Sequence, residues 1–155
     1  MAFGKSGALA RCGEMLAKCS DLGLLLIRLG IGLNVLIFHG WGKIFGGVER
    51  WERIGGEMAN LGIRFLPAFW GFMAAASESL GSVLLMLGLF FRPAAALLAF
   101  TMFVAAVRHL SLPPGTPGAG WGAASHAIEL CAIFLGLFLL GPGRYSLRSF
   151  WSSKR

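Results

Sequence analysis

The chain has 155 residues, of which 56% are hydrophobic and 14% are charged. Soluble domains average about 45–50% apolar and about 25% charged residues, so this composition excludes an ordinary soluble domain and indicates an integral membrane protein. At about 20 residues per span, the length allows one domain of about four membrane-spanning helices.

The net charge of +7 has a topological explanation. A nucleic-acid interface needs basic residues grouped in a patch or stripe, whereas here they flank the apolar runs. Basic residues beside spans are typical of membrane proteins. We therefore expect the lipid bilayer as a partner, and no nucleic acid.

The chain begins with a basic leader. Residues 1–20 contain Lys5, Arg11 and Lys18, and no small-residue cleavage site follows a short apolar core, so the leader is predicted to be retained. The first span is predicted at about residues 21–45. It carries four polar groups at different depths, which are Arg28, Asn34, His39 and Lys43.

An amphipathic segment and the second span follow. Apolar residues recur at helical spacing from Val48 to Leu61, with charged residues between them, so this segment is predicted to lie along the membrane interface over one end of the bundle. The second span is predicted at about residues 66–91, with Glu78 near its middle. A carboxylate at that depth is costly in lipid, so Glu78 should face a protein interior.

Two further spans complete the predicted bundle. The third covers about residues 93–110 and ends with Arg108 and His109, before a proline- and glycine-rich loop. The fourth covers about residues 121–140 and places His126 and Glu129 on one face. The expected fold is an all-α, antiparallel four-helix membrane bundle over residues 21–141, followed by a basic tail at residues 142–155.

The distribution of basic residues predicts the orientation. Eight basic residues lie at one end of the bundle and five at the other, with none in the loop at 111–120: Lys5, Arg11, Lys18, Arg92, Arg144, Arg148, Lys154 and Arg155 against Lys43, Arg50, Arg53, Arg64 and Arg108. This bias predicts that both termini are cytoplasmic. The polar side chains would then line a path that opens toward the outer face.

Four segments resemble the DoxX family of small four-helix membrane proteins. They are RLGIGLNVLIFHGWGKIFGG in the first span, SESLGSVLLMLGLFFRPAA across the second and third, HAIEL in the fourth, and GPGRYSL after it. The resemblance covers about residues 22–148 and implies a quinone-linked redox subunit of the cell inner membrane. The chain has Arg148 where the family's tail usually has an aspartate, so a role of that acid does not carry over.

The intramembrane polar groups give a site hypothesis. We expect Glu78 and Glu129 to be catalytic proton acceptors, and a quinone or similar lipophilic molecule to bind through Arg28, His39, Lys43, His109 and His126. The competing interpretation is that these groups only lock helices together. For Arg28, the alternatives are snorkelling to the interface, which we favour, or pairing with Glu78.

Three alternatives to a quinone-binding subunit stay open at this stage. Two facing histidines could bind haem, or His126 and Glu129 with Glu78 could bind a metal, but the chain lacks the further carboxylates of a di-metal site, so a quinone ranks first. The protein could be a non-catalytic anchor for a redox protein partner, or form a homo-oligomer. It could also be a carrier of a small solute.

Overall fold

The computed structural model describes residues 3–152, with side chains described from residue 13 to residue 150 except at 14 and 17. This part of the chain is helical and contains no strand. Four of its helices are long and apolar enough to cross a membrane. The fold class expected from the sequence is therefore confirmed.

The helices are numbered here in chain order. Helix α1 covers residues 3–44 and consists of regular helix at Phe3–Val35, a π-helical segment at Leu36–Gly40 and a last turn at Trp41–Ile44. The other helices are α2 at Gly47–Gly55, α3 at Pro67–Leu87, α4 at Phe91–Ser111, α5 at Trp121–Leu140 and α6 at Leu147–Ser152. A 3-10 turn at Gly56–Leu61 extends α2, and a second π-helical segment at Ser77–Gly81 interrupts α3.

Two boundaries differ from the predicted spans. Residues 3–20, expected as a leader, are helical and continuous with the first span. Helix α3 ends at Leu87, short of the predicted residue 91, because Gly88 adopts a left-handed conformation with φ of +71°. Glycine takes this conformation without steric cost, and it closes the helix C-terminus. The turn at residues 88–90 then leads directly into α4.

The four spans run antiparallel around one apolar core. The core consists of Val35 from α1, Leu85 from α3, Leu98 and Met102 from α4, and Phe134 from α5, with smaller residues between them. The end covered by α2 is called the lid end, and the end that carries Leu87, Phe91 and Leu140 the opposite end. At the opposite end, the backbone N–H of Arg144 donates to the Asp21 carboxylate, so the chain enters and leaves the bundle on the same side.

Helix α2 lies across the lid end on two glycine contacts. A Cβ atom added to Gly55 would lie 1.8 Å from the Pro67 carbonyl oxygen, and one added to Gly71 would lie 1.8 Å from the Trp51 carbonyl oxygen. The backbones of α2 and α3 are therefore in direct contact. The Trp51 indole also donates to the Lys43 carbonyl oxygen at 2.9 Å, which joins α2 to the end of α1.

Arg28 is buried at the opposite end, with only 1% of its surface exposed. Its guanidinium donates to the carbonyl oxygens of Met86 at 3.1 Å, Tyr145 at 2.7 Å and Pro142, and it lies over the Phe91 ring. The expectation that Arg28 snorkels to the interface is wrong. The reason is that the chain after α5 folds back over the bundle and presents its carbonyl groups to the guanidinium.

Candidate functional site

A cavity of about 800 Å³ lies beneath α2, between the lid-end halves of the spans. Its polar walls come from His39 and Lys43 on α1, Glu78 on α3, Arg108 on α4 and His126 on α5. Cavities of this size are typical of small-molecule sites in proteins. The fold thus collects polar groups from all four spans around one cavity.

The deepest polar contact in the cavity is an ion pair between α1 and α3. The Lys43 ammonium donates to Glu78 Oε1 at 2.8 Å and lies 2.6 Å from Oε2. The Glu78 side chain is 2% exposed, whereas that of Lys43 is 23% exposed. Glu78 is thus held within the protein, as the cost of a carboxylate in lipid requires.

Both members of this pair depend on the π-helical segments. Glu78 lies within the π-helical segment of α3, and Lys43 lies about one turn after the π-helical segment of α1. The two segments touch at Gly40, where an added Cβ atom would lie 2.4 Å from the Glu78 carbonyl oxygen. Such π-bulges occur frequently at functional sites, because one extra residue redirects the side chains that follow.

Two histidines stack across the cavity from α1 to α5. The rings of His39 and His126 have centroids 5.7 Å apart and an interplanar angle of 28°. His39 is half-buried and His126 is exposed, and both line the cavity. Their ring nitrogens form no hydrogen bond to any other described residue and can therefore donate to, or accept from, a bound molecule.

The lid-end wall is fixed by two contacts of α4. The Arg108 guanidinium donates from Nε to the Glu57 carboxylate at 2.8 Å, which ties the turn after α2 to α4. His109 Nδ1 lies 2.6 Å from the Gly118 carbonyl oxygen. A carbonyl can only accept, so Nδ1 carries the proton in this contact and Nε2 of a neutral ring is left as an acceptor.

The cavity also holds an unpaired donor and an excess of positive charge. The Nε1 atom of Trp70 is buried and has no hydrogen-bond partner among the described residues. Four basic side chains line the cavity against two carboxylates, namely Lys43, Arg50, Arg53 and Arg108 against Glu57 and Glu78. The site therefore favours a ligand with hydrogen-bond acceptors, such as carbonyl oxygens.

Five of the seven expected site residues come together in this cavity, and two lie elsewhere. His39, Lys43, Glu78, His109 and His126 line it, whereas Arg28 serves the loop at the opposite end. Glu129 lies on the outer surface of α5, exposed, and does not line the cavity. Glu129 differs from His126 because side chains three residues apart point about 60° apart around a helix. This angle is enough to place Glu129 outside the face of α5 that lines the cavity.

Sequence reasoning missed the contribution of Trp70 and of the charged residues around α2. The sequence does not single out Trp70 as a site residue, and it places Arg50, Arg53 and Glu57 only in an amphipathic segment along the membrane interface. The polar face of an amphipathic helix is normally in water, so its pattern gave no signal for a cavity. These groups line a cavity only because α2 packs across the lid end of the bundle.

A metal site finds no support in this geometry. In the part of the chain that the structure describes, no group of three or more histidine, cysteine, aspartate or glutamate side chains is close enough to hold an ion.

Comparison with known proteins gives one match. The family model DoxX matches residues 23–110, which is more than half of the chain and includes Arg28, His39, Lys43, Glu78 and His109. No curated protein and no solved structure matches the chain significantly. Since the family model covers α2, α3 and nearly all of the span of α1 and of α4, the chain belongs to the DoxX family of membrane proteins.

Proposed function

We propose that the cavity beneath α2 binds a quinone or a similar lipophilic molecule, and that the protein is a quinone-linked redox subunit. One observation carries the proposal. Phe69, Leu97 and Phe100 line the cavity together with its polar groups, and 50%, 44% and 44% of their surface is exposed. These side chains give the cavity an apolar wall beside its polar end, which suits a ligand with a polar head and an apolar tail.

The polar end of the cavity fits the head of such a ligand. Quinone oxygens accept hydrogen bonds, and the buried Nε1 of Trp70 lacks an acceptor among the described residues. The Lys43 ammonium and the His39 and His126 rings supply further donors. These groups would orient the head between α1 and α5, while the tail lies along the aromatic wall of α3 and α4.

Proton exchange is assigned to Glu78. A bound quinone supplies the ability to carry two electrons and two protons. Glu78 is the buried carboxylate of the cavity, and its contact with the Lys43 ammonium places an acceptor and a donor within 2.8 Å of each other. A proton can pass between such groups and a bound head without exposing a charge to lipid.

The cellular setting is part of the proposal. We place the protein in the inner membrane with both termini in the cytoplasm, so that the cavity opens toward the outer face. The asymmetry of basic residues supports this orientation.

Binding is tested with the purified protein in lipid nanodiscs and a short-chain quinone, measured by calorimetry. Trp70→Phe keeps the ring and removes the donor, so affinity should fall roughly fivefold to tenfold, as expected for one hydrogen bond. Glu129→Gln is the matched control, because it changes a carboxyl outside the cavity. No binding to the wild-type protein, or equal losses in both variants, would contradict the proposal.

The proton role is tested with Glu78→Gln in membranes that contain the native electron donor. Quinone-dependent turnover should fall about 100-fold, the scale of a lost general base, while helix content by circular dichroism stays unchanged. If a folded variant retains full turnover, Glu78 has no proton role and the protein fits a non-catalytic anchor. Uptake of a solute into vesicles without an electron donor would favour a carrier instead.

A further inference from the structure

Glu129 lies at a depth in the membrane where a carboxyl group without a partner costs free energy. It is the ninth residue of α5, so it lies about 12 Å from the lid end of a span about 30 Å long. Its side chain is exposed on the outer surface, with no hydrogen bond or ion pair to any residue whose side chain the structure describes. A carboxyl group at this depth and facing lipid calls for a partner from outside the chain.

Asn34 on α1 is in the same situation. It is exposed in the middle of the first span and also lacks a partner among the described side chains. The stacked rings of His39 and His126 fix the relative height of α1 and α5. Counting from these rings, Asn34 lies about 7.5 Å and Glu129 about 4.5 Å toward the opposite end, so the two groups differ in depth by only about 3 Å.

Both side chains point away from the helices that α1 and α5 pack against, so they lie on one outer side of the bundle. Gly32 faces α3, with the Met86 side chain in its path, and Asn34 lies 200° around the helix from Gly32. Cys131 faces α4, donating to the Ala99 carbonyl oxygen, and Glu129 lies 200° around the helix from Cys131. Asn34 thus points away from α3 and Glu129 away from α4, and both lie on the outer side of the bundle that α1 and α5 form.

Glycines surround these two groups. The seam face is defined by Gly23, Gly30 and Asn34 on α1 and by Gly122, Glu129 and Gly136 on α5. A Cβ atom added to any of its four glycines would meet nothing within 4 Å. Small residues flanking a polar group are typical of surfaces where membrane helices approach closely and form hydrogen bonds between them.

We propose that the seam face binds a second copy of this chain, forming a two-fold symmetric dimer. A rotation of 180° about an axis that runs along the membrane normal, outside the seam face, keeps every depth unchanged. It places α5 of the second copy opposite α1 of the first, and α1 of the second opposite α5 of the first. Asn34 of each copy then faces Glu129 of the other, so that one interface satisfies both groups twice. The face is self-complementary because it carries a donor amide and an acceptor carboxyl at nearly equal depth.

Disulfide formation in native membranes tests the pairing. Two differently tagged copies are co-expressed without the native cysteines, one carrying Asn34→Cys and the other Glu129→Cys. We expect a disulfide-linked product with both tags, because the geometry brings these positions together, while the remaining Asn34 and Glu129 keep their contact. Leu135→Cys replaces Glu129→Cys in the control, since Leu135 is 51% exposed on another face of α5.

Light scattering of the protein in nanodiscs or mild detergent tests the energetics. Glu129→Leu should lower dimer affinity tenfold or more, the effect of two hydrogen bonds between membrane helices, whereas Glu129→Gln should retain the dimer. A monomeric wild-type protein would overturn the proposal. So would a dimer unaffected by Glu129→Leu, a disulfide yield no higher than in the Leu135 control, or cross-linking of Glu129→Cys to a different protein alone.

Discussion

At the scale of single residues, Arg28 shows how a buried cation can be structural in a membrane bundle. The last carbonyl groups of a helix lack partners within the helix, and lipid provides no donors. Arg28 supplies donors to Met86 near the end of α3 and to Pro142 and Tyr145 after α5. One planar group with several N–H donors thus joins three segments of the chain at the opposite end.

Arg28→Lys should therefore destabilise the protein although it conserves the charge. The lysine ammonium is more compact than the planar guanidinium and cannot reach all three carbonyl groups. Some of these carbonyl groups would therefore stay buried without a donor. We expect a loss of about 2–3 kcal/mol in the free energy of unfolding, measured by denaturant titration in mixed micelles. Arg53→Lys, at an exposed position of α2, should change it by less than about 0.5 kcal/mol. Equal stability of both variants would show that Arg28 is not an anchor.

The two mid-membrane glutamates illustrate opposite solutions to the same cost. Glu78 is enclosed and paired with Lys43 inside the chain, whereas Glu129 is exposed and unpaired among the described residues. Both residues are glutamates, so the residue type does not explain why one is paired and the other is not. The difference lies in which neighbours each helix face meets, and it assigns Glu78 to the cavity and Glu129 to the seam face.

At the scale of elements, the contact between the two π-helical segments organises the site. Gly40 lies directly against the backbone of Glu78 and Ser79, with no room for a side chain. This contact holds α1 and α3 close enough for Lys43 to reach Glu78. The two interrupted helices are thus a condition for the cavity and not a defect in the bundle.

Gly40→Ala tests this dependence. An added methyl group would lie 2.4 Å from the Glu78 carbonyl oxygen, so α1 and α3 must separate. We expect a loss of about 1–3 kcal/mol in unfolding free energy, the usual cost of overpacking, together with weaker quinone binding. The control is Gly42→Ala in the same helix, where the added Cβ atom meets only the Arg50 side chain at 3.7 Å. If the two variants behave alike, close contact at Gly40 is not what positions the site.

At the scale of the whole molecule, the four spans return the chain to the side from which it started. At the opposite end, the contact between Asp21 and the Arg144 backbone joins the start of the first span to the chain that follows the last one. The lid end then carries α2 and the loop at 112–120. Basic residues are more numerous at the opposite end, and this asymmetry is the basis of the proposed orientation in the membrane.

We expect a cytoplasmic C-terminus and an external loop between α4 and α5. A membrane-impermeant maleimide applied to intact cells should label Thr116→Cys in that loop, and should leave Ser149→Cys in α6 unlabelled until the membrane is opened. The positive-inside bias is the physical reason. The reversed labelling pattern would invert the orientation and direct the cavity toward the cytoplasm.

The sequence by itself determined the fold class and most of the cavity's chemistry. Long apolar runs must be helices in lipid because each backbone N–H and C=O group needs a partner, and their lengths and breaks predict four spans and an amphipathic segment. Helical rise also predicts the depth of each polar group, and it places His39, His109 and His126 in the same half of the bundle, with Glu78 near its middle.

Only the tertiary structure decided which groups meet. Periodicity gives a residue's face on its own helix but not the neighbour that this face touches, so Arg28 and Glu129 were assigned to a cavity that they do not line. The π-helical segments, the backbone contacts at Gly40 and Gly71, and the return of the chain over Arg28 arise from packing between distant segments. Such contacts depend on how helices lie against one another, and a pattern within one helix does not contain that information.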